Sequence, residues 1–305
     1  MPTLRVFQVD AFTAERFTGN PAGVVLGLQG PLEPGQLTPA QMQALARELG
    51  NGDTAFLFAP DGDDHDLQVR FFTPRTEAAF VGHATIAAHA VLAARGLPAR
   101  PRQKQRSGLA RIAVMHGGSV PRIAIEQSAP ALRREPATAE LAAVLEALRL
   151  DPNDLDPRCP PTIAGESSTR LLLGVRDGGV LSGLHPDLAT LAALSERIGA
   201  PGYFLFTQSP ILSGCDTEAR MFCPALGISE DPVSGNAHGM LGAYLLRHGL
   251  LTPSAGHAGF VGAQGHHMNR PGKVAVELTI AASGVLASVR IAGDAVIVFE
   301  TAVTF

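Results

Sequence analysis

Residues 235–250 read GNAHGMLGAYLLRHGL, and residues 82–97 read GHATIAAHAVLAARGL. The two stretches align without a gap. Gly82 matches Gly235, Ala84 matches Ala237, Ala90 matches Ala243, Leu92 matches Leu245, Gly96 matches Gly249 and Leu97 matches Leu250. Upstream, RFFTP (70–74) matches RMFCP (220–224) as R-x-F-x-P. Each copy predicts the same unit: a strand, a loop, a glycine followed by a polar residue, an apolar helix and a glycine stop. Ala and Leu are common in this chain, so the helices alone would carry little. The strand motif and the helix-start glycine, both in order, point to duplication of a half-molecule. The loop is longer in the second copy, and the extra length is read as holding Glu230-Asp231-Pro232.

Around this pair the chain reads as α+β. LRVFQVDAF (4–12), TAFLFAP (54–60), LQVRFFTP (67–74), RIAIEQ (122–127), RLLLGV (170–175) and YFLFTQ (203–208) are β-branched or aromatic runs that predict strands. GNPAGVVLGL (19–28) is a Gly/Pro turn entering another, and the tail adds KVAVELTI (273–280) and ASVRIAGDAVIVFET (287–301). TPAQMQALARELG (38–50) predicts a helix with Thr38 as N-cap, Pro39 in the first turn and Gly50 as the stop. ATAELAAVLEALRL (137–150) and LATLAALSERIG (188–199) predict two more. Strands outnumber helices, which favours α+β over a doubly wound sheet. The polar, Pro-containing QSAPALRREP (127–136) marks the domain boundary.

Composition narrows the function classes. The 305 residues are 46% hydrophobic and 17% charged, enough for a sizeable core and against global disorder. The net charge is −4 and no long Lys/Arg run occurs, which argues against nucleic acid or an anionic membrane as partner. No apolar stretch of about 18 residues predicts a membrane span. MPTLRVFQVDAF lacks the pattern of a secretory signal, which places the expectation in the cytosol. Three cysteines, Cys159, Cys215 and Cys223, without a CxxC, fit a reducing compartment. No zinc-ligand spacing and no glycine-rich nucleotide loop is present, so no metal or cofactor is expected.

Duplication has chemical consequences. Two related halves are expected to pack about a pseudo-twofold axis, with equivalent loops facing one cleft. Each loop feeds a glycine at a helix start, where free N–H groups and the helix dipole hold anions. Gly82 and Gly235 would let backbone approach a ligand closely. Such a pair suits a carboxylate substrate, or an enolate formed as a proton leaves carbon. His83 is either a plain helix-start residue or a site residue, and Asn236 is its counterpart. The helix dipole would keep the His83 imidazole neutral. Asp231 reads as a turn acid or as a cleft residue. Asp53, after a helix stop and before an apolar strand, reads as a cap or as a general acid/base.

GNPAGVVL, DTAF, RFFTP with GHAT, and RMFCPALGISEDPVSGNAHG together resemble the PhzF family, phenazine-biosynthesis-like proteins of the diaminopimelate epimerase fold. The resemblance runs from Gln8 through QGHHMNRPG (264–272) and the final strands. It implies two similar domains, each a barrel-like sheet around a central helix (83–95 and 236–248). Residues 1–127, completed by a final strand at about 293–305, would form one and 128–292 the other. It also implies a cofactor-free isomerase with its site between the domains, a small carboxylate as substrate, and a homodimer.

The family's catalytic glutamate lies in Ser-Glu-Thr. Here Gly52-Asp53-Thr54 takes that place, with an arm one methylene shorter. His83 and Asp231 match the family's site histidine and aspartate. Gly82, Gly235 and Asn236 match its carboxylate-binding helix starts, Asn236 replacing a serine, and Asn20 of the GNP stretch joins the substrate-binding set. Racemases of the wider fold carry two cysteines before the helix-start glycines. Val81 and Ser234 stand there instead, so a two-cysteine racemase is not expected. The shortened acid leaves a second reading, a carboxylate-binding protein of the same fold without turnover.

Overall fold

A computed structural model describes residues 3–115, 118–166 and 168–304. The chain forms two compact units, residues 1–127 with 292–305, and residues 128–291. Up to that boundary the elements are β1 (Thr3–Ala11), β2 (Asn20–Gly27), α1 (Pro39–Leu49), β3 (Asp53–Phe58), β4 (Leu67–Phe72), β5 (Glu77–Ala78), α2 (Gly82–Ala94), β6 (Arg102–Gln105), β7 (Gly108–Met115) and β8 (Arg122–Ser128). Next come β9 (Leu132–Arg134), α3 (Thr138–Leu148), β10 (Thr162–Ala164), β11 (Arg170–Gly174), α4 (Gly178–Ser182), α5 (Leu188–Ile198), β12 (Gly202–Thr207) and β13 (Thr217–Cys223). The chain closes with β14 (Ile228–Asp231), α6 (Gly235–Arg247), β15 (His257–Gln264), β16 (Gly272–Ile280) and β17 (Leu286–Thr304). Among the described residues no helix is long and apolar enough to cross a membrane.

In the first unit β1 lies between β17 and β2, antiparallel to both. β2 runs parallel to β3, β3 antiparallel to β4, and β4 parallel to β6. β6, β7 and β8 continue antiparallel, and β8 meets β17 to close an eight-stranded barrel. Closure removes the sheet edges, whose unpaired backbone groups would otherwise need covering. α2 threads this barrel. Every residue from Ala84 to Leu92 is buried, the mark of a helix walled by protein on all sides. It packs against β1, β2, β3 and β7. Its two polar intruders are satisfied: His89 Nε2 donates to Gln103 Oε1 (2.9 Å), and Gln103 Nε2 donates to Thr85 Oγ1 (3.3 Å).

The second unit repeats the pattern. β11–β12–β13–β15–β16 pair parallel, antiparallel, parallel and antiparallel, in the order of β2–β3–β4–β6–β7. α6 is the counterpart of α2, buried from Ala237 to Leu245 and packed against β9, β15 and β16. A Cβ on Gly242 would sit 3.0 Å from Leu278 and Val276, so a glycine stands where α2 carries His89. The expected α+β architecture of two barrel-like halves around central helices is observed.

Thr38, Pro39 and Gly50 behave as expected in α1. Thr38 and Gln41 form a capping box, and Gly50 turns the chain at φ 67°.

The loop expectation is corrected by the Arg–Glu pairs. Arg70 in β4 clasps Glu77 in β5 with both Nε and Nη2 at 2.8 Å. Arg220 in β13 clasps Glu230 in β14 the same way, at 2.9 and 2.8 Å. Each guanidinium also lies over the phenylalanine two residues on, Phe72 at 5.3 Å and Phe222 at 5.0 Å. Glu230 is therefore the equivalent of Glu77, and each stands five residues before its helix glycine. The added residues fall earlier, in and just after the 3-10 turn Pro224–Leu226. Asp231 is not inserted: it occupies the position of Ala78.

Candidate active site

The first unit assembles Asn20, Asp53, Gly82 and His83. Asp53 opens β3 and lies opposite Ala22 of the parallel strand β2, two residues beyond Asn20. Gln8 and Asn51 exchange side-chain amide hydrogen bonds of 2.9 and 2.8 Å just before it, which anchors the strand entry. Asn20 is 5% exposed at the start of β2. His83 is the second residue of α2. Its Nε2 is 3.7 Å from Asp53 Oδ2, and both side chains are 14% exposed. That gap is beyond hydrogen-bond length. His83 Nε2 is buried and has no hydrogen-bond partner. Burial pushes the His83 pKa down to about 4, so the imidazole is neutral at pH 7.

The second unit holds Asp231, Gly235 and Asn236. Asp231 ends β14 opposite Met221. Gln264, 1% exposed, ties this strand to the helix start. Its Nε2 donates to the Asp231 carbonyl (2.6 Å) and its Oε1 accepts from Ser234 N–H (3.1 Å). Gln264 thereby spans the turn from Asp231 at the end of β14 to Ser234 at the start of α6.

The two helix starts share a device that the sequence alone did not disclose. Thr85 Oγ1 donates to the carbonyl of Val81 at 2.8 Å, and His238 Nδ1 donates to the carbonyl of Ser234 at 2.8 Å. Thr85 and His238 are equivalent positions of the repeat. Each carbonyl belongs to the peptide whose N–H is that of Gly82 or Gly235. Because the peptide is planar and trans, holding the oxygen toward the helix turns that N–H outward. The Ser234 bond also fixes the His238 tautomer with the proton on Nδ1, and burial holds its pKa down to about 4.

Capping completes the contrast. Side chains of Thr38, Asp177 and Asp187 cap α1, α4 and α5, and Glu140 reaches the Ala137 N–H at the start of α3. Val81 gives α2 no side-chain cap, and Ser234 reaches only the Ala237 N–H (3.3 Å) in α6. Neither helix has an acid in its first turn. The α2 start, with neither a cap nor an acid, leaves a positive dipole end suited to anions, whereas α6 has one N–H capped by Ser234 just as α1 and α4 have one capped by Thr38 and Asp177. Val81 and Ser234 are the N-cap residues themselves. The cysteines lie elsewhere: burial pushes Cys159 up to about 11 and Cys223 up to about 12, and raises Cys215. None of them is a ready thiolate.

Sequence reasoning put forward Asp53, His83, Asp231 and the glycines as site candidates, and the structure brings Asp53 and His83 to 3.7 Å of each other. It missed Gln264, Thr85, His238 and the two clasping arginines. R-x-F-x-P already contained Arg70 and Arg220, and the repeat already paired Thr85 with His238. What was hidden was the partner that each one holds: a glutamate for each arginine, and a backbone carbonyl for Thr85 and His238.

A family model described as phenazine biosynthesis-like protein, PhzC-PhzF, matches residues 9–301. The chain is 38% identical over 298 residues to the uncharacterized isomerase YddE of Escherichia coli, covering 97% of each chain. It is 29% identical over 245 residues to trans-2,3-dihydro-3-hydroxyanthranilate isomerase of Pseudomonas aeruginosa, covering 80% of each. The crystal structure of the Bacillus anthracis phenazine biosynthesis protein of the PhzF family superposes with a TM-score of 0.86 at 27% identity, covering 100% of both chains.

Proposed function

Because the chain belongs to the PhzC-PhzF family of phenazine biosynthesis-like proteins, we propose that it is a cofactor-independent isomerase that shifts a proton on a small carboxylic or amino acid. The substrate is bound between the two units in this reading. Asp53 takes a proton from one carbon and returns it to another. The neutral His83 lies beside it to orient the acid and to accept or supply a hydrogen bond as charge moves. Asp231 completes the polar set from the second unit. The N–H groups at Gly82–His83 and Gly235–Asn236 hold the carboxylate and offset negative charge as it spreads into the substrate, with Asn20 as a further contact.

The observation that carries this reading is the carboxylate–imidazole pair at an uncapped helix start. A carboxylate can work as acid and base in turn, and a neutral imidazole adds no buried charge. The names of the relatives support an isomerase, and the homodimer rests on the resemblance. The second reading, carboxylate binding without turnover, is favoured by the same 3.7 Å gap, because the aspartate arm stops short of the ring. Incubation of purified protein with candidate carboxylates in deuterium oxide, read by NMR, separates the two. Deuterium incorporation at carbon supports the isomerase. Binding with no incorporation supports the second reading.

A further inference from the structure

Arg170 and Arg220 are buried to the same depth, each 8% exposed, yet they are matched differently. Arg220 engages Glu230 and the carbonyls of Leu181 and Leu184. Arg170 makes one bond among the described residues: Nη1 donates to the Thr169 carbonyl at 2.8 Å. It has no ion pair there, and its Nε and Nη2 have no partner. A buried cation without a counter-charge is unfavourable for a fold. The open Nε–Nη2 edge is the one with which Arg70 and Arg220 clasp their glutamates.

The repeat shows where this charge stands. Arg170 pairs with Gly202 in the parallel strands β11 and β12, as Ala22 pairs with Asp53 in β2 and β3. The register agrees on the other side, where Tyr203 faces Phe222 as Thr54 faces Phe72. Gly202 is therefore the equivalent of Asp53, and Arg170 the equivalent of Ala22. Phe204 and Phe206 lie edge-on to His238 and Tyr244 of α6, with ring centroids 5.2 and 5.5 Å apart. Side chains alternate along a strand, so position 202 faces α6 as well. A Cβ there would run into Arg170 Cδ and fall 2.7 Å from its Nε and 2.8 Å from Cys223 Sγ. The arginine arm fills the space that a side chain at 202 would take. Where the first unit directs a carboxylate toward its central helix, the second directs a guanidinium. Asp231 is close to the same spot. The Cys223 thiol, pushed up to about 12 chiefly by burial, is acted on by both the Arg170 cation and the Asp231 anion.

We propose that Arg170 is a substrate-binding residue, the cation that holds an acidic group of the ligand beside the start of α6. The assignment rests on the carboxylate binding in the function proposed above and adds a residue to it. The open edge offers two parallel N–H groups to one carboxylate, and such bonds are charge-assisted. The site then selects an acid over its uncharged amide.

The test uses the full chain with Arg170→Met, Arg170→Gln and Arg170→Lys. Without added anion, Arg170→Met keeps Tm within about 2 °C of wild type or raises it, because an unmatched charge has left the interior. A larger fall would show that the fold uses the guanidinium, and would overturn the proposal. Succinate, succinamide and sulfate are then titrated at constant ionic strength. Binding is followed by calorimetry and by the proton–nitrogen NMR signal of the Arg170 Nε–H, identified by its loss in Arg170→Lys. Sulfate has no carbon skeleton to be rejected, so it probes the cation alone. Succinate and sulfate should move the Arg170 signal saturably, and succinamide should not. Arg170→Gln should weaken both anions by about tenfold or more, the weight of a hydrogen bond to a charged group. Arg170→Lys, which keeps the charge and loses the fork, should recover part of the loss. Arg158→Gln, at an exposed arginine paired with Asp156, should change neither. An Arg170 signal unmoved by both anions, or equal affinity of wild type and Arg170→Gln, overturns the assignment and leaves the isomerase reading standing. Weakened binding in Arg170→Gln, with no deuterium exchange by wild type on any acid, upholds Arg170 and sinks the isomerase reading instead.

Discussion

His83 Nε2 stands 3.7 Å from Asp53 Oδ2, a separation that a substrate atom or a small movement could turn into a hydrogen bond. The imidazole is neutral above about pH 4. Histidine titration therefore should not shape the rate near neutrality. The expected kcat/KM profile shows no inflection near the ordinary histidine value of about 6.5. His83→Gln, which keeps a polar arm, should cut kcat by about 10²-fold, in line with loss of one acid–base partner. Steady-state rates from pH 5 to 9 for both proteins check this.

The two Arg–Glu clasps differ in burial, and their deletion should differ accordingly. Arg220 and Glu230 are 9% and 14% exposed, against 28% and 24% for Arg70 and Glu77. Arg220 also donates to the carbonyls of Leu181 and Leu184, both at 3.0 Å. Arg220→Ala strands a buried carboxylate and two carbonyls, and should cost about 3–5 kcal/mol. Arg70→Ala leaves a wetter carboxylate and should cost about 1–2 kcal/mol. Urea unfolding of the two variants gives both values.

Gly262 is a packing requirement of His238. A Cβ there would fall 2.2 Å from His238 Cδ2 and 2.5 Å from Nε2. Gly262→Ala should push the ring off the Ser234 carbonyl and destabilise the protein by about 1–3 kcal/mol, the range for overpacking a core. His238→Ala removes the clash. The double variant should therefore recover part of the loss in a double-mutant cycle of thermal or urea unfolding.

Acid should weaken the fold through its buried histidines. His83, His89 and His238 are each held down to about 4 by burial. Unfolding restores ordinary values near 6.5, so between about pH 6.5 and 4 the unfolded chain binds more protons than the folded one. Stability should fall with falling pH across that window, with unfolding near pH 5 taking up close to three protons from these groups. Unfolding free energies from pH 4.5 to 7.5 give the slope, and His89→Gln should reduce the uptake by about one.

Much of this was legible because the central helices have distinctive sequences. GHATIAAHAVLAA and GNAHGMLGAYLLR are small and apolar on every face, which only a helix walled in on all sides requires. The helix-start glycines followed from position along the repeat, and Asp53 from its place between a helix stop and an apolar strand and from the family resemblance. The strands at β6, β7 and β15 were not read. KQRSGLAR and HAGFVGAQ are rich in glycine and long polar residues, and barrel pairing rather than intrinsic propensity makes them extended. The loop before α6 was misplaced for a different reason. Its alignment relied on proline and glycine landmarks, whereas the true equivalence of Glu77 and Glu230 is set by guanidinium pairing across strands. The carbonyl-holding roles of Thr85 and His238 are a backbone relationship, which side-chain identity does not announce.

The central claim is that Asp53 moves a proton to and from carbon. Deuterium incorporation from solvent into a bound unsaturated carboxylate, followed by NMR for wild type, Asp53→Asn and Asp53→Glu, addresses it most directly. The account predicts exchange by wild type and by Asp53→Glu, which restores the longer acid arm. It predicts a loss of at least about 10²-fold in Asp53→Asn, which keeps the shape and removes the base. Equal exchange by wild type and Asp53→Asn would contradict it.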